Sequence, residues 1–127
     1  MNWVGDLVQK YVEPEDTVLD IGCGIMQAIL DTCPTYPSTR LRCRYLVGAD
    51  IYEPYLEFLK KRGIEVLHLD LRYALPFHPK SFDVILLLDV LEHLSIEKAD
   101  KLVLEATRIA KRKVIVLTPV DFQPNLN

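Results

Sequence analysis

The chain has 127 residues, 50% of them hydrophobic and 26% charged, which is the composition of a folded globular protein and not of a disordered or collagen-like one. A net charge of −3 and a sequence pI of about 5.6 leave no broad positive field for a phosphate backbone, so we do not expect nucleic acid as a partner. The longest apolar run is short and no signal-peptide pattern opens the chain, so we expect no membrane contact and a cytoplasmic location.

Five short apolar, β-branched runs predict strands at residues 17–21, 45–49, 65–69, 82–88 and 113–117. Helical patterns alternate with them: an N-terminal helix that ends before Pro14, a helix that opens near Ile25, and helices at residues 54–62 and 95–110. Strands that alternate with helices are typical of parallel sheets. The sequence therefore predicts a Rossmann-like, doubly wound α/β fold with five mainly parallel strands and helices on both faces.

The arginine and cysteine patterns have ordinary structural explanations. Arg40, Arg42 and Arg44 alternate with apolar residues, which predicts the exposed face of a strand, with a patch for an anionic substrate as the alternative. Cys23, Cys33 and Cys43 are spaced neither as a zinc site nor as a disulfide framework, so we expect reduced thiols and no metal.

The most informative segment is VLDIGCG at residues 18–24, where a predicted strand runs directly into Gly22 and Gly24. Glycine permits a sharp turn and lets a ligand approach main-chain N–H groups, although a plain strand–helix turn has the same appearance. Acidic residues also end the next three strands, at Asp50, Asp70 and Asp89. Because parallel strands end at one edge of the sheet, these groups predict a ligand site there, and Asp50 could accept ribose hydroxyls.

These segments, together with DVLEHL at residues 89–94, resemble the class I S-adenosylmethionine-dependent methyltransferases of small-molecule type, over residues from about 18 to 119. The resemblance implies S-adenosylmethionine as cofactor and S-adenosylhomocysteine as product. It implies a cofactor site formed by Asp20, Gly22, Cys23, Gly24, Asp50, Ile51, Asp70, Leu71, Asp89 and Val90.

Within that implied site, Asp20, Gly22 and Gly24 resemble the loop that holds the methionine part. Asp50 resembles the ribose acceptor with Ile51 beside adenine, and Asp70 resembles the acceptor of the adenine amino group, with Leu71 in backbone and apolar contact. Asp89 and Val90 resemble the turn after the fourth strand that passes close to the cofactor. A nicotinamide dinucleotide fits less well, because Gln27 stands where its fingerprint requires a third glycine.

The implied reaction is methyl transfer to an unidentified small-molecule acceptor. His93 is the candidate general base, because imidazole titrates near working pH; alternatively, Glu92 and His93 complete a turn before a helix capped by Ser95. A non-catalytic binding or interaction module with this fold is the rival function.

Two features depart from the family pattern. Met26 stands where a third glycine is common, and its side chain either crowds the cofactor or points away. The sequence shows no pattern for the strand hairpin that normally follows the fifth strand. We therefore expect either a truncated chain or a second copy or partner that covers that edge. We predict one domain over residues 1–127, with a lead-in at 1–16, a cofactor-binding core at 17–119 and a tail at 120–127.

Overall fold

In the computed structural model, which describes residues 3–30 and 40–118, five strands form one parallel sheet. They are β1 (Thr17–Ile21), β2 (Tyr45–Asp50), β3 (Glu65–His68), β4 (Phe82–Leu88) and β5 (Ala110–Leu117). The order across the sheet is β3-β2-β1-β4-β5, and every neighbouring pair is parallel. Strands β2 and β3 therefore lie on one side of β1, and β4 and β5 on the other. Because the strand order reverses between β1 and β4, a crevice opens at the carboxyl ends of these two strands.

Three α-helices of the described residues cover the two faces of the sheet: α1 (Trp3–Gln9), α2 (Glu53–Lys60) and α3 (Ile96–Ile109). Side chains of successive strand residues point to opposite faces, and β1 sends Val18 into one buried cluster and Leu19 into the other. Helices α1 and α2 pack on the first cluster and α3 on the second. The predicted Rossmann-like α/β fold is confirmed.

Helix α3 shows how local sequence fixes an element. Its buried residues Leu102, Ala106 and Ile109 recur at helical spacing and face the sheet. Ser95 caps its start, because the hydroxyl accepts a hydrogen bond from the Lys98 N–H at 3.3 Å.

The prediction of a helix that opens near Ile25 is wrong for the described residues, because residues 25–30 form turns and no helix. Met26 has φ of 57°, a left-handed conformation that ends any regular right-handed helix. The Leu30 N–H still donates to the Met26 carbonyl at 2.9 Å, so one turn closes between these two residues. Residues 31–39 lie outside the described part.

The strand predicted for the alternating arginines is also wrong. All three arginines are exposed, but they precede β2, which begins at Tyr45. Backbone groups of this segment form hydrogen bonds outside the sheet. The Arg42 N–H donates to Gln9 Oε1 at 2.7 Å, and the Arg44 N–H donates to the Asp16 carbonyl at 2.8 Å. In the described ranges, strand pairing begins only after this segment, where Tyr45 pairs with Thr17.

Strand β5 lies at an edge of the described sheet, with β4 as its one neighbour there, and Val116 is 43% exposed on it. The predicted tail at residues 120–127 lies outside the described residues. The division into lead-in, core and tail stays a prediction, as does a copy or partner on β5.

Candidate functional site

The glycine turn after β1 is fastened to the end of β2. Gly22 and Gly24 have φ of 68° and 54°, in the left-handed region that favours glycine. The N–H groups of Gly22 and Cys23 both donate to the Ala49 carbonyl, at 2.8 and 3.0 Å. A Cβ built on Gly22 would lie 2.8 Å from Val90 Cγ2, so the turn also touches the segment after β4.

Asp50 holds two loops at the end of β2. Its Oδ2 accepts from the Gly24 N–H at 3.0 Å and its Oδ1 from the Tyr52 N–H at 2.9 Å. Each carboxylate oxygen has further lone pairs, so the side chain can still accept hydrogen bonds from a ligand. The half-buried carboxylate thus stands between the glycine turn and the beginning of α2.

Asp20 is the least solvated acid at this edge. Its residue is 3% exposed, and its Oδ1 is buried with no hydrogen-bond partner. Burial, and secondarily the charge of Asp50, raise the pKa of the Asp20 carboxyl to about 8. A buried acid of this kind would be satisfied by a cationic or donor group brought to the site.

A cleft of about 230 Å³ lies at the carboxyl edge, where the ends of β1, β2 and β3 meet the start of α3. Five predicted site residues line it: Gly22, Asp50, Ile51, Asp70 and Leu71. The other lining residues are Ala49, Leu69, Arg72, Leu94 and Lys98. Apolar side chains and an exposed Ile51 therefore stand beside two carboxylates.

The remaining predicted site residues do not line the cleft. Asp20 and Cys23 are buried, and the Gly24 N–H donates to Asp50. Val90 is buried against Gly22, whereas Asp89 is exposed after β4 with φ of 56°. Their predicted contact with a cofactor stays a prediction.

Asp70 is bound by Arg72, which is not among the predicted site residues. The Arg72 guanidinium donates to both oxygens of the Asp70 carboxylate, with Nη2 2.6 Å from Oδ2 and Nε 3.1 Å from Oδ1. These hydrogen bonds lower the pKa of Asp70 to about 2. A donor that approaches Asp70 must share its oxygens with Arg72.

The side chain of Met26 points away from the cleft and into the core. Met26 is 3% exposed and belongs to the cluster that faces α1 and α2. A Cβ built on Gly48 would lie 2.6 Å from Met26 Cε and 3.0 Å from Cys23 Sγ, so the absent side chain of Gly48 makes room for both. Of the two alternatives for Met26, the structure supports the second.

Glu92 and His93 form a short 3-10 turn, Leu91–His93, ahead of the Ser95 cap. The His93 side chain is 76% exposed, and its Nε2 lies 3.6 Å from Glu92 Oε1. Glu92 Oε2 is buried with no hydrogen-bond partner. The turn that we expected is present, and a role of His93 as general base stays a prediction.

Sequence reasoning missed Arg72 and Lys98 as cleft residues. Both were visible in the sequence: Arg72 follows the acid at the end of β3 by two residues, and Lys98 stands in the first turn after the Ser95 cap. Cys23 and Cys43 are free thiols, and burial raises the pKa of the Cys23 thiol above its usual range. Among residues 3–30 and 40–118, no cluster of three or more His, Cys, Asp or Glu side chains could hold a metal ion.

A family model described as "Methyltransferase domain" matches residues 19–118. The chain therefore belongs to this family of methyltransferase domains, and its fold agrees with that class. It is also 32% identical over 114 residues to the bifunctional methionine biosynthesis protein MetXA/MetW of Rhodopirellula baltica, an alignment that covers 85% of this chain and 18% of that protein.

Solved structures show the same fold. The PH0226 protein from Pyrococcus horikoshii is 26% identical with a TM-score of 0.67, and the alignment covers 89% of this chain and 53% of that one. A SAM-dependent methyltransferase, possible histamine N-methyltransferase, from Thermotoga maritima is 26% identical with a TM-score of 0.62, covering 91% and 50%. The chain thus spans about half of these structures. No helix in its described ranges has both the length and the apolar character to span a bilayer.

Proposed function

We propose that this domain binds S-adenosylmethionine in the carboxyl-edge cleft and transfers its methyl group to a small-molecule acceptor. The observation that carries the proposal is the convergence of Gly22, Asp50 and Asp70, from three different strand ends, on one cleft. Membership in the methyltransferase domain family supports the reaction class. A family in which this cofactor is the methyl donor also implies S-adenosylhomocysteine as the product.

The residues present fit the cofactor by its chemical parts. Ile51, Leu71 and Leu94 offer apolar surface for a flat base, and the Asp50 carboxylate can accept from ribose hydroxyls. The buried Asp20 oxygen without a partner can accept a hydrogen bond from a methionine amino group, whose positive charge favours loss of the carboxyl proton. When bound, S-adenosylmethionine supplies a methyl group activated on a sulfonium; the chain's own task is to orient it and exclude water.

An acceptor of small-molecule type is supported by the relatives. One is named for methionine biosynthesis and another as a possible histamine N-methyltransferase. The overall acidity of the chain also gives no support for nucleic acid. We place the domain in the cytoplasm, a proposal that the free thiols Cys23 and Cys43 support.

The test is calorimetric titration of S-adenosylmethionine and S-adenosylhomocysteine into wild type and two matched variants. Ile51 is 54% exposed and borders the cleft, whereas Ile96 is 81% exposed and does not line it. Because Ile51→Ser removes apolar contact with the base, we expect about tenfold weaker binding of both ligands. Ile96→Ser is the control and should bind like wild type.

The wild-type titration also tests the enzyme against a non-catalytic module, and the two variants test the position of the site. Neither substitution removes a buried side chain, so both variants should remain folded. No heat with either ligand in the wild type would favour the module, and equal affinities of the two variants would exclude Ile51 from the site.

A further inference from the structure

A second and larger cavity, of about 490 Å³, lies between the segment after β3 and helix α3. Its lining residues are Leu71, Arg72, Tyr73, Ala74, Leu75, Lys98, Lys101, Leu102, Leu104 and Glu105. We call it the α3 groove. It shares Leu71, Arg72 and Lys98 with the proposed cofactor cleft. Its volume lies within the range of small-molecule sites, roughly 300 to 1,000 Å³.

The α3 groove is positively charged although the chain as a whole is negative. Three cations line it against one acid, Glu105, and one of the three, Arg72, is bound to Asp70. The Glu105 carboxylate is already occupied, because it accepts from Arg108 Nε at 2.7 Å and from the Leu75 N–H at 3.1 Å. Lys98 and Lys101 form no ion pair with any residue in the described ranges. Two lysine ammonium groups are therefore available to a ligand.

The position of Lys98 is unfavourable for the helix that carries it. Lys98 lies in the first turn of α3, three residues after the Ser95 cap. The helix dipole places partial positive charge there, which favours acidic side chains and disfavours lysine. Helix stability therefore does not explain this residue, whereas an anion between Lys98 and Lys101 would.

The walls of the groove are apolar and partly open to solvent. Leu104 is 69% exposed and Tyr73 is 68% exposed, while Leu75 and Leu102 are buried beneath them. Exposed large apolar residues beside unpaired cations match a ligand that has both an apolar body and an anionic head. We infer that the α3 groove binds an amphipathic small anion, with its acidic head at Lys98 and Lys101 and its hydrocarbon body on Leu104 and Tyr73.

The inference is tested with octanoate as the probe, followed by calorimetry on the whole chain. Octanamide has the same length without the charge, and inorganic phosphate has charge without the chain. We expect octanoate to bind at least about tenfold more tightly than either control, because only octanoate uses both the cations and the apolar wall. Equal binding of octanamide or of phosphate would overturn the inference.

Variants then place the ligand in the groove. Lys101 and Leu104 line the groove but not the cofactor cleft, so Lys101→Gln and Leu104→Ser should each weaken octanoate about three- to fivefold. Lys60→Gln is the control on helix α2, where the lysine is exposed on the other face of the sheet. An equal loss with Lys60→Gln, or none with the two groove variants, would overturn the assignment.

This inference stands apart from the proposed function. Lys101→Gln should leave S-adenosylhomocysteine affinity unchanged. If octanoate binds and S-adenosylhomocysteine does not, the proposed function fails and the groove assignment holds; the opposite result rejects the groove alone.

Discussion

Met26 and Gly48 form one close contact beneath the glycine turn. Met26 keeps a left-handed backbone, which costs a non-glycine residue about 1 to 2 kcal/mol, and its side chain fills the space over Gly48. Gly48→Ala would place a Cβ 2.6 Å from Met26 Cε in a packed core. We expect the free energy of unfolding to fall by about 1 to 3 kcal/mol, as measured by urea denaturation.

The double variant with Met26→Ala tests whether the two residues share that space. Met26→Ala alone should cost about 2 to 5 kcal/mol, because it leaves a cavity. Since the new Cβ at position 48 partly fills this cavity, the double variant should be more stable than the sum of the single effects predicts. Strict additivity would show that Gly48 and Met26 do not compete for one volume.

Asp20 makes the stability of the domain depend on pH. The pKa of its carboxyl is raised from 3.8 to about 8 in the folded chain, so the native state retains a proton that the unfolded chain loses from about pH 4 upward. The contribution of Asp20 to stability is therefore complete below pH 4 and is lost as pH rises toward and through 8. The total loss is on the order of 5 kcal/mol.

Asp20→Asn removes that titration and should flatten this part of the profile. Urea unfolding at pH 5, 6, 7 and 8 measures the profile, with Asp6→Asn as the control, because Asp6 is exposed on α1. Wild type and the control should lose stability across this range more steeply than Asp20→Asn. Parallel profiles for all three proteins would show that Asp20 ionises normally in the native state.

At the scale of elements, sequence periodicity predicted most of the fold because burial repeats along each element. The bounds of β1 and β4 are those predicted, and α3 differs from its prediction by one residue at each end. The errors fall where tertiary contacts override local pattern. Gln9 holds the main chain of Arg42 from 33 residues away, and no local window contains that information.

The candidate site was predictable to the extent that it depends on strand ends. Strand topology places Gly22, Asp50 and Asp70 together, because parallel strands end at one edge. The side of the cleft formed by α3 was not predictable, since Lys98 reaches it only through the packing of that helix on the sheet. The Asp70–Arg72 contact depends on the path of an irregular loop, which motif spacing does not specify.

Across the whole molecule, the two ends of the sheet have different chemistry. At the amino end, two acids have partners: Asp16 forms an ion pair with Arg112, and Asp83 Oδ2 accepts from the Thr17 N–H at 2.8 Å. At the carboxyl end lie both buried carboxylate oxygens without partners in the described ranges, on Asp20 and Glu92. Satisfied polar groups stabilise one end, whereas unsatisfied ones leave bonding capacity for ligands at the other.

The proposed cleft and the α3 groove should communicate, because Arg72 borders both. Arg72 is held on the Asp70 carboxylate, and an adenine amino group on Asp70 would compete with it for the same oxygens. Arg72 would then be released toward an anion in the groove. We therefore expect saturating S-adenosylhomocysteine to tighten octanoate binding about fivefold, and octanoate to tighten S-adenosylhomocysteine binding by the same factor, since coupling is reciprocal.

Arg72→Gln tests this link, because it leaves the other residues that line the cleft and the α3 groove in place. Its guanidinium side chain is 69% exposed, so the variant should fold normally. Both ligands should still bind, and the coupling factor, measured by titrating each ligand with and without the other, should fall to about 1 because the shared cation is gone. Coupling that persists in Arg72→Gln would assign the link to Lys98, the other charged residue common to both sites. In the wild type, weaker octanoate binding in the presence of S-adenosylhomocysteine would contradict the release of Arg72 from Asp70.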